Sequence, residues 1–176
     1  PDGYTLAVAT SAVMAIRPTL FKVRPFEPLT DFVPISHYVK SPFVLIVNPS
    51  LPVNSVPEFV KYAKERPGQL SYSSSGIGGA PHLTMELLKS RAGIDMVEVR
   101  YKAGAQSIQD ALSGRTQFMI ASMAATDALV KAGKMRRIAV ASANRFPGFE
   151  DMATVNETLP GVVVDGQYYL MGPAGM

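Results

Sequence analysis

The chain has 176 residues, 47% of them apolar, which suits one large domain or two small lobes. Its 17 Lys and Arg against 14 Asp and Glu give a net charge of +3 without any basic run longer than Arg136-Arg137, which excludes the concentrated basic stripe of a nucleic-acid surface. With no cysteine, only His37 and His82 as histidines, and no H-E-x-x-H pattern, disulfides, thiolate sites and a recognisable zinc centre are excluded as well.

Strand and helix signals alternate along most of the chain, which predicts an α/β architecture with mostly parallel sheets. The turn residues Pro1-Asp2-Gly3 lead into an apolar strand over 4–10, and Thr10-Ser11 opens a short helical segment reaching residue 20. Residues 25–34 are too rich in proline for regular structure. Two strands follow, over 34–40 and 42–48, the second holding the apolar run 43–47 of a buried strand. That run falls far short of the roughly 18 residues that span a membrane. Pro49, Pro52 and Pro57 mark a boundary. Ser55 and Glu58 then fit a capping box, with Val56, Phe59, Val60 and Ala63 on one helical face and Pro67-Gly68 as the stop.

A strand over 70–74 runs into the tight loop Gly76-Ile77-Gly78-Gly79. Pro81 then sits where the first helical turn tolerates it, Leu83, Leu87 and Leu88 face inward, and Gly93 ends the helix. Val97, Val99 and Tyr101 alternate with Glu98, Arg100 and Lys102, a strand with one wetter face. Further elements are a short helix around Ile108 closed by Gly114, a strand over 116–122, a helix over 125–131 closed by Gly133, and a buried strand over 137–143. A turn-rich break, a short helix over 153–158 and a last strand over 162–170 complete the reading. The stretch 51–143 reads as one α/β lobe inserted between 1–50 and 144–176, which form the other. A lobe inserted through two crossings is the plan of hinged binding proteins.

The block Ser73-Ser74-Ser75-Gly76-Ile77-Gly78-Gly79-Ala80-Pro81 joins a strand to a helix. The first N–H groups of a helix lack partners and carry about half a positive charge, glycines let backbone approach closely, and hydroxyls add donors, so Ser74, Ser75, Gly76, Gly78, Gly79 and Ala80 form a candidate anion site. A flexible strand–helix turn is the plain structural alternative. The block is neither a P-loop nor a dinucleotide fingerprint, because it lacks the G-K-[ST] ending and the third spaced glycine. Thr10 and Ser11 offer hydroxyls at a second strand–helix junction, as ligand contacts or as an N-cap. Lys102 and Ser122 sit at strand carboxyl ends, where α/β crevices bind ligands, with a solvated surface as the alternative. His82 in the first helical turn reads as a loop support. No G-x-S-x-G elbow exists, and Ser75 with His82 lacks a third orienting group. No cofactor is implied.

Taken in order, several segments resemble the Bug/TctC family of extracytoplasmic solute receptors that serve tripartite tricarboxylate transporters. Pro1-Asp2-Gly3-Tyr4-Thr5-Leu6 matches its P-D-G-Y-T-L block, Asp31-Phe32-Val33-Pro34-Ile35 its D-F-x-P-[IV] segment, and Val47-Asn48-Pro49-Ser50-Leu51-Pro52 its V-N-P-S-L-P stretch. The block from Tyr72 through Leu83 is similar to its Y-x-S-x-G-x-G-x-x-x-H-L block, and Tyr101-Lys102, Ala132-Gly133-Lys134 and Pro173-Ala174-Gly175 match in order.

The resemblance implies a two-lobed, periplasmic-binding-protein-like (Venus flytrap) fold. It implies a monomeric periplasmic receptor that takes a small organic carboxylate to membrane permease subunits without turnover and without nucleic acid. The same fold also serves an α/β enzyme using the glycine loop, or a ligand sensor feeding a signalling system. By resemblance, residues 74–80 hold a carboxylate in the second lobe and Thr10-Ser11 contact it from the first. The family's N-terminal strand–loop–helix and C-terminal helices are expected outside these residues. Ala121 and Ser122 stand where many members carry acidic or amide side chains, which points to a ligand without an amine. Arg17-Pro18 replaces the family's Asn-Pro.

Overall fold

The computed structural model describes residues 5–175, so the turn expected at Pro1-Asp2-Gly3 and the strand start at Tyr4 lie outside the described residues. Strand β1 (Ala7–Thr10) leads into a π-helical turn (Ala12–Ile16) and α1 (Arg17–Leu20). Strand β2 then runs unbroken from Phe32 to Val47. It is followed by α2 (Val56–Lys64), β3 (Ser71–Ser74), α3 (Ala80–Ala92), β4 (Val97–Arg100), α4 (Gly104–Leu112) and β5 (Phe118–Ser122). The remaining elements are α5 (Met123–Lys131), β6 (Arg136–Val140), α6 (Val155–Thr158) and β7 (Asp165–Pro173).

The strand order is β1-β7-β2-β5-β3-β4, with β6 also on β2. Residues 32–42 of β2 pair with β7, and residues 43–47 pair with β5 and 44–47 with β6. One strand therefore belongs to two sheets. The sequence reading broke it at Ser41-Pro42. Proline removes a ladder donor, but up to Pro42 the strand is the edge of the first sheet, where a missing donor is tolerated. It becomes central only from Phe43 onward.

The expectation of mostly parallel sheets does not hold. β3 runs parallel to β4 and β5, whereas β1–β7, β2–β7, β2–β5 and β2–β6 are antiparallel. In the second sheet β3, β4, β5 and β6 run one way, and β2, arriving from the first sheet, runs against them.

The run 43–47 is buried on both faces. Phe43, Leu45 and Val47 pack with α2 and α3 through Phe59, Met85 and Leu88, while Val44 and Ile46 pack with α4 and α5 through Ala111 and Met123. Period-two alternation sends neighbouring residues into opposite layers, so a continuous apolar run is what a two-sided sheet requires.

Both helix starts read from sequence differ in detail. Ser55 Oγ accepts the Glu58 N–H, but Glu58 reaches the Asn54 N–H, one residue further back than a capping box. The full box is on α6, where Thr154 and Glu157 exchange side-chain and backbone bonds. On α3 the buried stripe is Thr84, Met85, Leu88 and Ala92, with Leu83 and Leu87 half-buried.

The chain leaves the second sheet where the Val164 N–H donates to the Ala141 carbonyl, and Asp165 opens β7 beside Pro42. Lys40 and Asp165 form an ion pair of 2.9 Å at this crossing. No helix among the described residues is long and apolar enough to cross a membrane.

Candidate functional site

A cavity of about 320 Å³ lies at the carboxyl ends of β3 and β5, against the paired crossing of β2 and β7. Three helices begin at its wall: α3 with Gly79, Ala80 and Pro81, α4 with Gly104 and Ser107, and α5 with Ser122 and Ala125. The opposite wall holds Thr10, which ends β1, and Ser11 after it, with Gln167 and Tyr168 on β7. None of the described lining residues carries a formal charge. First-turn N–H groups have no partner within their own helix and concentrate positive potential. Three such ends on one cavity, without a side-chain cation, make a neutral site that favours anions.

The glycine block is shaped by its backbone. Gly76 and Gly78 take φ of +107° and +81°, which only glycine adopts readily. The Gly79 N–H closes the turn on the Gly76 carbonyl at 3.4 Å. At Gly78 a Cβ would lie 3.2 Å from Leu20 Cδ1 and 3.4 Å from Phe21 Cε2, so the end of α1 rests on this loop. Pro81 occupies the first turn of α3 as its missing donor permits.

Beneath the loop lies a charged cluster. Ser74 Oγ donates to Glu98 Oε1 at 2.7 Å and accepts the Gly76 N–H at 3.2 Å. Arg100 Nε donates to Glu98 Oε2 at 2.6 Å, and His82 Nε2 lies 3.5 Å from Glu98 Oε1. The sequence reading made Val97 and Val99 the drier face of β4; instead Val97 is 51% exposed and the Glu98 side chain only 11%. β4 is an edge strand, and the Glu98 carboxylate is sheltered by Ser74, Arg100 and, from the start of α3, His82. Further along α3 the Tyr72 hydroxyl donates to Glu86. Burial, and then that carboxylate, push the Tyr72 phenol well above its ordinary range. Burial opposes ionisation of Glu86, but donation from Lys89 and Tyr72 outweighs it and holds the carboxyl below its usual range.

Of the residues singled out in the sequence, Thr10, Ser11, Ser75, Gly79, Ala80 and Ser122 line the cavity together. Two of these hydroxyls act on backbone: Thr10 accepts the Val13 N–H at 3.4 Å, and Ser122 caps α5 through the Ala125 N–H at 3.3 Å. Ser74, Gly76 and Gly78 do not line it. Ser74 faces Glu98, and the two glycines form the turn behind the wall. Lys102 is exposed and also outside the lining.

Sequence reasoning passed over Ser73, Ser107, Gln167 and Tyr168 as lining residues. For Ser73 the signal was present, since alternation along β3 sets it on the face opposite Tyr72 and Ser74. Gln167 and Tyr168 come in through tertiary pairing, with Tyr168 opposite Thr10. Among the described residues no group of three His, Asp or Glu is placed to hold a metal.

A family model described as "Tripartite tricarboxylate transporter family receptor" matches residues 1–176. Protein BugT of Bordetella pertussis is 31% identical over 176 residues, 99% of this chain and 54% of BugT. The chain spans about half the length of the curated relatives it matches. Among solved structures, R. palustris Rpa4515 with adipate superposes with a TM-score of 0.93 at 33% identity, over 99% of this chain and 58% of that one. The periplasmic binding protein BugD superposes with a TM-score of 0.90 at 29% identity, over 99% and 58%.

Proposed function

The chain belongs to the tripartite tricarboxylate transporter receptor family, and from that premise we propose that it captures a small organic carboxylate in the periplasm and hands it, unchanged, to membrane permease subunits. The observation that carries this reading is the convergence of the first turns of α3, α4 and α5 on a cavity lined without charge. Backbone N–H groups bind an anion through fixed dipoles. They lack the full charge of Arg or Lys, so the ligand is held without being trapped, as a delivering receptor needs. The adipate on Rpa4515 supports a carboxylate of this size class, and about 320 Å³ lies at the small end of the range for ligand sites.

In this reading the lobes, expected from the sequence at 1–50 with 144–176 and at 51–143, meet instead at the strand crossing, with residues up to 42 and from 165 in one lobe and 43–164 in the other. The lobes hinge where Ser41 and Gly166 run side by side. A ligand drives closure only if it touches both lobes, and Thr10, Ser11 and Tyr168 face the helix ends across the same cavity. Neutral lining also favours a ligand without an amine, since no carboxylate is there to receive an ammonium.

A thermal-shift series with succinate, adipate, citrate, benzoate and aspartate tests the proposal. A ligand that binds only the folded state raises Tm with the logarithm of its concentration over Kd. One or more of the acids without an amine should shift Tm, aspartate should not, and Gly78→Val should abolish the shift. A protein that none of the five acids stabilises would not be a carboxylate receptor of this kind.

A further inference from the structure

Among the described hydroxyls that line the cavity, that of Ser73 is both buried and without a partner, whereas Ser11 is half-buried and Ser75 exposed. Ser73 lines the cavity, is 2% exposed, and its Oγ has no hydrogen-bond partner among the described residues. Four neighbouring hydroxyls are engaged. Ser74 is held between Glu98 and Gly76, Ser107 Oγ donates to the Gly104 carbonyl at 2.7 Å, Ser122 accepts from Ala125, and Thr10 accepts from Val13. A buried hydroxyl without a partner works against folding, so one kept at a cavity wall between three helix starts is set for a group that the fold itself does not supply.

The position fits such a role. Ser73 pairs in register with Val99 on β4 and Met119 on β5, so it lies mid-sheet near the carboxyl end of β3, where α4 packs across. Alternation sets it away from the Ser74–Glu98 cluster and into the cavity. A serine hydroxyl has one donor proton and freely rotates it toward an anion.

We propose that Ser73 is a direct ligand-binding residue, donating its hydroxyl proton to the anionic group seated against the first turns of α3 and α4. This rests on the carboxylate reading and sharpens it, because it makes the floor of β3 the seat of that group. The ligand is then selected by whether its anionic end reaches that floor.

Calorimetric titration of adipate into wild type, Ser73→Ala and Ser73→Cys, together with the ligand-free Tm of each, tests the assignment. Loss of a hydrogen bond to a charged group should weaken S73A about tenfold. S73C, keeping the size with a weaker donor, should fall between. The ligand-free Tm of S73A should be unchanged or raised, since no protein partner is left behind. Ser74→Ala, which strips Glu98 and Gly76 of a partner, should lower it. S73A that binds adipate as tightly as wild type would overturn the assignment and leave the carboxylate reading standing. A fall in ligand-free Tm of S73A matching that of S74A would make the hydroxyl structural and overturn it equally. Wild type that takes neither adipate nor any of the other acids would remove the reading and the assignment together.

Discussion

Glu98 and Ser74 meet across 2.7 Å, and the same serine hydroxyl receives the Gly76 N–H at 3.2 Å. Ser74 is therefore a strut between the edge strand β4 and the glycine turn. With Arg100 and His82 also on Glu98, one carboxylate ties β3, β4 and the start of α3. The turn that aims the α3 N-terminus at the cavity is fixed from behind, by groups outside the cavity lining.

Removing that carboxylate should loosen the turn. Glu98→Ala leaves the Ser74 hydroxyl and the Arg100 guanidinium without their acceptor, at a cost of about 1–3 kcal/mol. Glu98→Gln keeps an acceptor for Ser74 and should retain most of the stability. Urea denaturation of both variants, with adipate affinity measured alongside, checks this. Equal stability of the two would show that the strut does not hold the turn.

The sequence made the layers and the anion-favouring end legible for physical reasons. The run 43–47 had to be buried on both faces, and Gly76-Gly78-Gly79-Pro81 had to be a strand–helix turn, because local backbone chemistry allows little else. What was not legible depends on which neighbour a segment meets. Pro42 ends a strand only if its ladder needs that donor, and here it sits at an edge. Glu98 is sheltered by Ser74 and, from the start of α3, His82, which no pattern in 97–102 announces. Thr10 and Tyr168 meet through pairing of the chain's two distant ends.

The crossing of β2 and β7 is tightly fitted at Gly166. A Cβ there would stand 2.9 Å from the Ser41 carbonyl oxygen and 3.2 Å from the Phe43 ring. Backbone at that distance cannot yield as a side-chain tip would, so even Gly166→Ala should part the two strands. Overpacking of this sort costs about 1–3 kcal/mol. Because Phe43 and Gly166 both line the cavity, adipate affinity should fall with stability. Chemical denaturation and calorimetry on G166A measure both. An alanine accepted without loss in either would mean that the strands stand further apart than 2.9 Å contact implies.

Alkaline pH should act through Tyr101. This residue follows β4, and its hydroxyl donates to Asp110 Oδ2 in α4 at 2.7 Å. Burial, and then the hydrogen bond and negative charge of Asp110, push the phenol from its ordinary 10 up to about 12. A folded value above the unfolded one gives a contribution that is full below pH 10 and is lost as pH rises from 10 through about 12. The group is only half-buried, so the effect is small, but it bears on α4, whose first turn reaches the cavity. Tyr101→Phe should therefore be slightly less stable than wild type at neutral pH, and the gap should close as pH passes through that window. Ultraviolet titration of the phenols should show one transition near 12 in wild type that is missing in Y101F. A Tyr101 that ionises near 10 in the folded protein would mean that the bond to Asp110 is not formed in solution, and that the α4 end of the cavity is anchored by packing alone.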